Sequence, residues 1–173
     1  MRGTTRGSPP RVSNEEMLWS WIGAFLGIAA VAWVNQLFLA GFDRTLMIGS
    51  FGASAVLVYG AVRSPLAQPR NLIGGHVLSA IVGVLCWKLL GQNLWLAESV
   101  AVATSIALMH ATRTLHPPGG ATALIAVIGS PEIHQMGFLY VLVPATVGPL
   151  ILLAVALLVN NVPASRRYPE IWF

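Results

Sequence analysis

Charge is what this sequence has least of. Only 9% of its 173 residues are Asp, Glu, Lys or Arg, where a soluble domain carries about 25%, so an ordinary water-soluble globule is excluded. There is one cysteine, Cys86, and it lies inside an apolar run. That excludes an intrachain disulfide and a cysteine-built metal cluster. No nucleophile–base constellation, carboxylate pair or Walker-type phosphate loop can be found. No enzyme, cofactor or metal site is therefore expected. The net charge of +4 does not point to nucleic acid, because the basic residues stand at the ends of apolar runs and in the tails, as membrane topology requires.

What remains is hydrophobic: 55% of the chain. The reading is an all-α, polytopic membrane protein. Residues 1–16, polar and basic, are expected to be a disordered cytoplasmic tail, 17–160 the transmembrane domain, and 161–173 a cytoplasmic C-terminal tail. Ser13-Asn14-Glu15-Glu16 has the form of a capping box. The run after it is too long for a signal-peptide core and no clear cleavage site follows, so it is read as retained. Spans are expected at Met17–Ala40, Thr45–Val62, Leu72–Leu90, Trp95–Thr112 and Phe138–Val159, the last interrupted by Pro144 and Pro149. Gly41-Phe42-Asp43-Arg44 reads as a tight turn. Pro118–Gly129 is a sixth, short segment, since a full crossing takes about 20 residues.

Charge placement bears on whether that short segment crosses. With six crossings and a cytoplasmic N-terminus, Arg2, Arg6, Arg11, Arg63, Arg70, Arg113, Arg166 and Arg167 lie inside, and Arg44 and Lys88 outside, eight against two. A re-entrant segment moves Arg166 and Arg167 out and gives six against four. The positive-inside rule favours six crossings with both termini cytoplasmic, in what is expected to be a bacterial inner membrane.

The stretch His116-Pro117-Pro118-Gly119-Gly120-Ala121-Thr122 carries the functional expectation. His116 and Pro117 each precede a proline, which biases both away from the α region. A Pro-Pro-Gly-Gly start is expected to leave backbone N–H groups free at a helix N-terminus, the chemistry of an anion site. Gly52-Ala53-Ser54-Ala55-Val56-Leu57 resembles Gly120-Ala121-Thr122-Ala123-Leu124-Ile125, and Ser79–Gly83 can be laid over Pro144–Gly148. Two halves of three segments each, with an odd number of crossings per half, would be inverted repeats with short broken or half helices. The starts of the two small-residue helices would then meet near the midplane. The candidate substrate site is Ser50, Gly52, Ala53, Ser54, His76, His116, Pro117, Pro118, Gly119, Gly120 and Thr122. A bulky residue at Gly120 is expected to block it. His110 and Glu98 read as packing or interfacial, and His134 as solvated in a loop.

The same residues carry a family resemblance. His116–Ala123 matches the signature of the HPP family of small integral membrane proteins. Ser50-Phe51-Gly52-Ala53-Ser54-Ala55, Ser64–Asn71 with Gly74-Gly75-His76, and Arg166-Arg167-Tyr168-Pro169 resemble that family too, over roughly Met17 to Trp172. The resemblance implies a transporter, and some plastid and cyanobacterial members are associated with nitrite. It therefore implies a small monovalent anion as partner besides the lipid bilayer. The family is often described with four spans, against the six read here. Some relatives carry fused nucleotide-sensing domains, which are not expected in this chain. Two other readings stand beside transport of an anion: a non-transporting membrane scaffold, and a proton-coupled carrier of a small neutral solute. Six spans in so short a chain leave little protein around a cavity, which points toward a homo-oligomer.

Overall fold

In the computed structural model, which describes residues 11–38 and 44–172, the chain is all-helical, with no strand among those residues. The helices are α1 (Asn14–Phe38), α2 (Arg44–Ala55), α3 (Pro69–Leu90), α4 (Leu94–Ala111), α5 (Pro117–Ile128), α6 (Pro131–Met136), α7 (Leu139–Leu142) and α8 (Pro144–Val159). A π turn, Val56–Gly60, continues α2, and a 3₁₀ turn, Pro65–Ala67, precedes α3. The first ten residues, expected as part of a disordered tail, and the expected turn at 41–43 lie outside the described residues.

Among the described residues, four stretches are long and apolar enough to cross a bilayer: Asn14–Leu37, Pro69–Leu90, Leu94–Ala111 and Leu139–Val159. Gly49–Gly60 and Pro117–Ile128 are apolar but shorter. Each expected segment is thus a helix, but length and composition alone support four spans, not six. Large apolar side chains face outward all round the bundle: Trp21, Trp33, Leu89, Trp95 and Leu158 are all more than half exposed. In a water-soluble protein such a surface would aggregate, whereas facing lipid it is the ordinary exterior of a membrane helix.

Local chemistry explains the helix ends. The Ser13 hydroxyl accepts the Glu16 N–H at 3.1 Å, capping α1. The return half of the capping box is not made, because the Glu16 carboxylate is engaged by Arg166 at 2.8 Å. At the end of α4, Thr114 N–H bonds to Met109 C=O at 2.8 Å and Arg113 N–H to His110 C=O at 3.2 Å. That is the Schellman closure, with Arg113 at φ 58° in the position glycine favours. Proline-bearing starts open α3, α5, α6 and α8, where a missing N–H costs nothing.

The core is set by small residues. Gly75, Ser79 and Gly83 recur every fourth position on α3 and face Gly119 and Ala123 on α5. A Cβ on Gly83 would stand 2.5 Å from the Ala123 carbonyl oxygen, and one on Gly119 2.8 Å from the Gly75 carbonyl. With lipid outside, helices associate by such close packing and not by hydrophobic exclusion. A second pair works the same way: the Tyr59 ring fills the groove over Gly23 and Gly27 of α1, and its hydroxyl donates to Leu152 C=O of α8 at 2.9 Å. α1 lies against α8 and α4 against α3, α1 against α2 and α4 against α5, α2 against α5, and α3 against α8.

The loops gather at two ends. At one, Arg63 donates to Ser165 C=O, Arg70 to Thr112 C=O and Asn71 to Leu115 C=O. The C-terminal segment is fixed there and is not a loose tail. Arg166, with a side chain 2% exposed, holds Glu16, Ser20 and Asn160. Tyr168 donates to Ala67 C=O at 2.8 Å, and its burial pushes the phenol pKa upward, so it stays a donor. At the other end, Trp87 of α3 stacks on His134 at 3.6 Å. His134 is therefore not a solvated loop residue: it lies in α6 and donates to Val127 C=O at 3.0 Å.

A side chain at Gly83 should be expensive, because the atom it meets is backbone. Gly83→Leu is expected to destabilise the protein by about 1–3 kcal/mol or more. Gly120→Ala, whose Cβ would find only Val102 at 3.8 Å, should change little. Unfolding midpoints of the two variants in detergent would check this, and equal stabilities would count against the α3–α5 contact.

Candidate functional site

Where α2, α3 and α5 meet, five polar side chains are shut away from any surface. Ser50, Ser54, His76, His116 and Thr122 are each at most 3% exposed. Ser50 and Ser54 are one turn apart on α2, so they point the same way. His76 comes from the first third of α3, next to the small residues that let α5 approach. Thr122 lies on α5, and His116 is the extended residue before it, at φ −141° and ψ 102°, as a residue before proline should be.

The shortest contacts join the five side chains in one line. Ser50 Oγ lies 2.6 Å from Thr122 Oγ1, and Thr122 Oγ1 2.7 Å from His76 Nδ1. His76 Nε2 and His116 Nε2 each lie 2.8 Å from Ser54 Oγ. His116 Nδ1 donates to Leu66 C=O at 2.8 Å. The two imidazoles have ring centroids 5.1 Å apart, and the Phe51 ring covers His76 edge-on. Tyr140 of α7 braces the line from outside, donating to Thr122 C=O at 2.9 Å. No Asp, Glu, Lys or Arg side chain hydrogen-bonds to any of the five among the described residues.

Several expected site residues stand elsewhere. Ala53 and Pro117 are exposed and Gly52 is half-buried, so none belongs to the line. Pro118 contributes its carbonyl, 3.1 Å from Ser50 Oγ. Gly119 is a packing residue against Gly75. Gly120 lines an apolar recess of about 580 Å³ with Val102, Ile106, Met109 and His110, so bulk there enters the recess and not the polar line. His110 is exposed and Glu98 half-buried.

The expected cradle of free N–H groups also needs correction. The helix begins at Pro117, not after it, because a proline is tolerated in a first turn. Two of its first four residues are prolines with no N–H, and Gly119 N–H is taken by His116 C=O at 2.8 Å. Ser50 and Ser54 lie in the second half of α2, not at its start. What meets here is side chains from helix bodies, and two helix N-termini do not face each other. Sequence reasoning found the five side chains but missed Leu66 and Tyr140. A backbone carbonyl has no signature, and Tyr140 sits in an apolar run where it reads as an interface anchor.

Stability does not account for this arrangement. Hydrogen bonds between membrane helices average about 0.6 kcal/mol, whereas a buried group left unpaired costs about 1–3 kcal/mol. An apolar core would do as well with less exposure to failure. Thr122→Val keeps the shape and removes the hydroxyl between Ser50 and His76. It should cost about 1–3 kcal/mol, and Thr122→Ser, which keeps the hydroxyl, less. Denaturant unfolding of both would test this, and a Thr122→Val protein as stable as the parent would mean that the line is not closed in the folded state.

The chain matches the family model described as HPP, transmembrane region, over residues 9–169. Two transmembrane proteins of Dictyostelium discoideum are similar to it. One is 45% identical over 169 residues, covering 96% of this chain and 54% of the relative. The other is 46% identical over 168 residues, covering 95% and 59%. The chain thus spans little more than half the length of either relative. No solved structure matches it. A match to the family model over nearly all of the chain, on residues that include the line just described, places this integral membrane protein in the HPP transmembrane family.

Proposed function

We propose that this protein carries a small monovalent anion across the membrane through the polar centre formed by Ser50, Ser54, His76, His116 and Thr122. The observation that carries the reading is a set of five hydroxyl and imidazole side chains buried, without a fixed charge, among helices that otherwise expose apolar surface. Polar groups at membrane depth are costly and mark transport pathways by default. Hydroxyls and imidazoles can donate to an anion and release it, whereas a buried Arg or Lys would hold it. Nitrite is the anion that the family resemblance suggests.

The proposal includes six crossings. The start of α1, the 61–71 loop, the 112–116 segment and the C-terminal segment share the arginine-rich end, while 87–88 and α6 meet at the other. That distribution of loops supports a chain passing back and forth six times. Twelve residues of α5 rise only ~18 Å. Residues 114–116 are non-helical, with His116 extended, and three residues add at most about 10 Å, which approaches the ~30 Å of a hydrocarbon core. The packing pairs also support inverted repeats. Exchanging α1 with α4, α2 with α5 and α3 with α8 carries α1 on α8 into α4 on α3, and α1 on α2 into α4 on α5. The positive-inside rule puts the arginine-rich end in the cytoplasm.

Purified protein in liposomes should pass nitrite faster than nitrate, formate or chloride. His116→Ala should lower that flux by about tenfold or more, the equivalent of ~1.4 kcal/mol. No flux of any of the four anions through folded, inserted protein would sink the anion reading and favour a scaffold. The topology has its own check. In a Cys86→Ala background, Ser64→Cys and Arg167→Cys should react with an impermeant maleimide from one side, and Gln92→Cys and Gln135→Cys from the other. If Gln135→Cys reacted from the same side as Ser64→Cys, α5 would be re-entrant.

A further inference from the structure

The hydrogen-bonded line has a direction, and the direction is set at one end. Leu66 C=O can only accept, so His116 Nδ1 carries the proton between them, 2.8 Å apart. In a neutral ring His116 Nε2 is then the acceptor, and Ser54 must donate to it. Ser54 has one proton, so in its other contact it accepts, and His76 Nε2–H donates. His76 Nδ1 is then bare and accepts from Thr122. The Thr122 proton is used, so Ser50 donates to Thr122. The competing carbonyls are farther away: Pro118 C=O at 3.1 Å from Ser50 and 3.4 Å from Thr122, and Ser50 C=O at 3.3 Å from Ser54. One acceptor therefore fixes both tautomers and all three hydroxyl directions, with one proton for each of the five links.

We infer that the line Ser50–Thr122–His76–Ser54–His116 is a proton relay, and that a proton accompanies the anion across the membrane; this rests on the transport reading above. The step balances. A proton from water bonds to Ser50 Oγ. The Ser50 proton passes to Thr122, the Thr122 proton to His76 Nδ1, the His76 Nε2 proton to Ser54, and the Ser54 proton to His116 Nε2. The His116 Nδ1 proton leaves to water. At each atom one bond to hydrogen forms and one breaks, no charge stays on the line, and both imidazoles exchange tautomer. A carbonyl cannot take the departing proton, so Leu66 acts as a stop. Both terminal transfers need water that the closed line excludes. The first needs water at Ser50, which is 3% exposed and lies against Pro118 C=O, and the last needs water in place of the Leu66 carbonyl. The start of α5 therefore has to move off Ser50, and the Pro65–Ala67 turn away from His116. After transfer, His116 Nδ1 would present a lone pair to that carbonyl, which disfavours closing until the tautomers are reset. Proton passage is thereby tied to a conformational change, as coupled transport requires.

The groups able to disturb this titration are few. Tyr140 from α7 and Tyr168 from the C-terminal segment both donate to backbone carbonyls beside the line. α4 places His110 in the recess outside Pro117, and Ser79 of α3 donates to Met109 Sδ. Arg70 and Arg113 stand at the arginine-rich end, near Gln68 and Asn71. α1 and α8 place no titratable group in hydrogen-bond contact with the line among the described residues.

The test uses the purified chain in liposomes holding a trapped pH dye, with potassium nitrite as the probe, valinomycin to clamp the potential, and protein-free vesicles as background. About one proton should enter with each nitrite. Thr122→Val should lower the proton-to-nitrite ratio about tenfold, and Thr122→Ser should keep it. Ser54→Ala, which removes the link between the two rings, should act as Thr122→Val does, and serves if that variant does not fold. Nitrite movement without protons, or an unchanged ratio in both hydroxyl-deleting variants, would overturn the relay and leave the anion reading intact. Protons crossing down an imposed pH gradient with no anion, and more slowly in Thr122→Val, would keep the relay and overturn the anion reading. Movement of neither species would overturn both.

Discussion

The approach of α3 to α5 is the constraint on which everything else rests. Gly75, Gly83 and Gly119 let the two backbones come close enough for side-chain atoms to meet backbone atoms directly. Only at that distance can short side chains such as Thr122 and Ser54 bridge helices, and only then do two imidazoles from different segments share one serine. A wider spacing would need longer polar side chains, with more conformers and weaker definition. Small-residue packing and the polar line are thus one device: the first supplies the distance, the second uses it.

Neutrality is the second theme. A polar centre at this depth could be stabilised by an ion pair, yet the five side chains carry no fixed charge. The molecule does contain an ion pair, buried Arg166 with part-exposed Glu16, but it stands at the arginine-rich end, where Ser20 and Asn160 also engage the guanidinium. Among the described residues, ion pairing is confined to the arginine-rich end, and hydrogen bonds between neutral side chains occupy the polar centre.

Much of this could be read from the sequence. The helical segments fell within a few residues of their expected bounds, because apolar run length and Pro and Gly positions are strong signals in a membrane chain. His116 and Thr122 belong to the His-Pro-Pro-Gly-Gly stretch, Ser50 and Ser54 to the small-residue run that resembles it, and His76 follows Gly74-Gly75, so sequence alone draws attention to all five. The facing of each helix was not legible. When a helix is apolar all round, no periodic stripe says which side is inward, so Gly52, Ala53, Pro117 and Gly120 were placed in the site for being its neighbours in sequence. His134 was missed because its partner, Trp87, lies 47 positions away in the chain. The free N–H groups are fewer than a helix start normally offers, because two of the first four residues of α5 are prolines without a donor.

The clasp between Arg166 and Glu16 has a topological consequence. It brings the end of α8 to the start of α1, so the helices form a closed circuit in which α8 leads to α1 much as α3 leads to α4 through the short 91–93 link. The order of elements around such a circuit does not depend on where it is cut. A chain begun at α4 and ended at α3, with a short linker spanning the clasp, would meet every packing partner present here. The clasp thus does for α8 and α1 what a short covalent link does for α3 and α4.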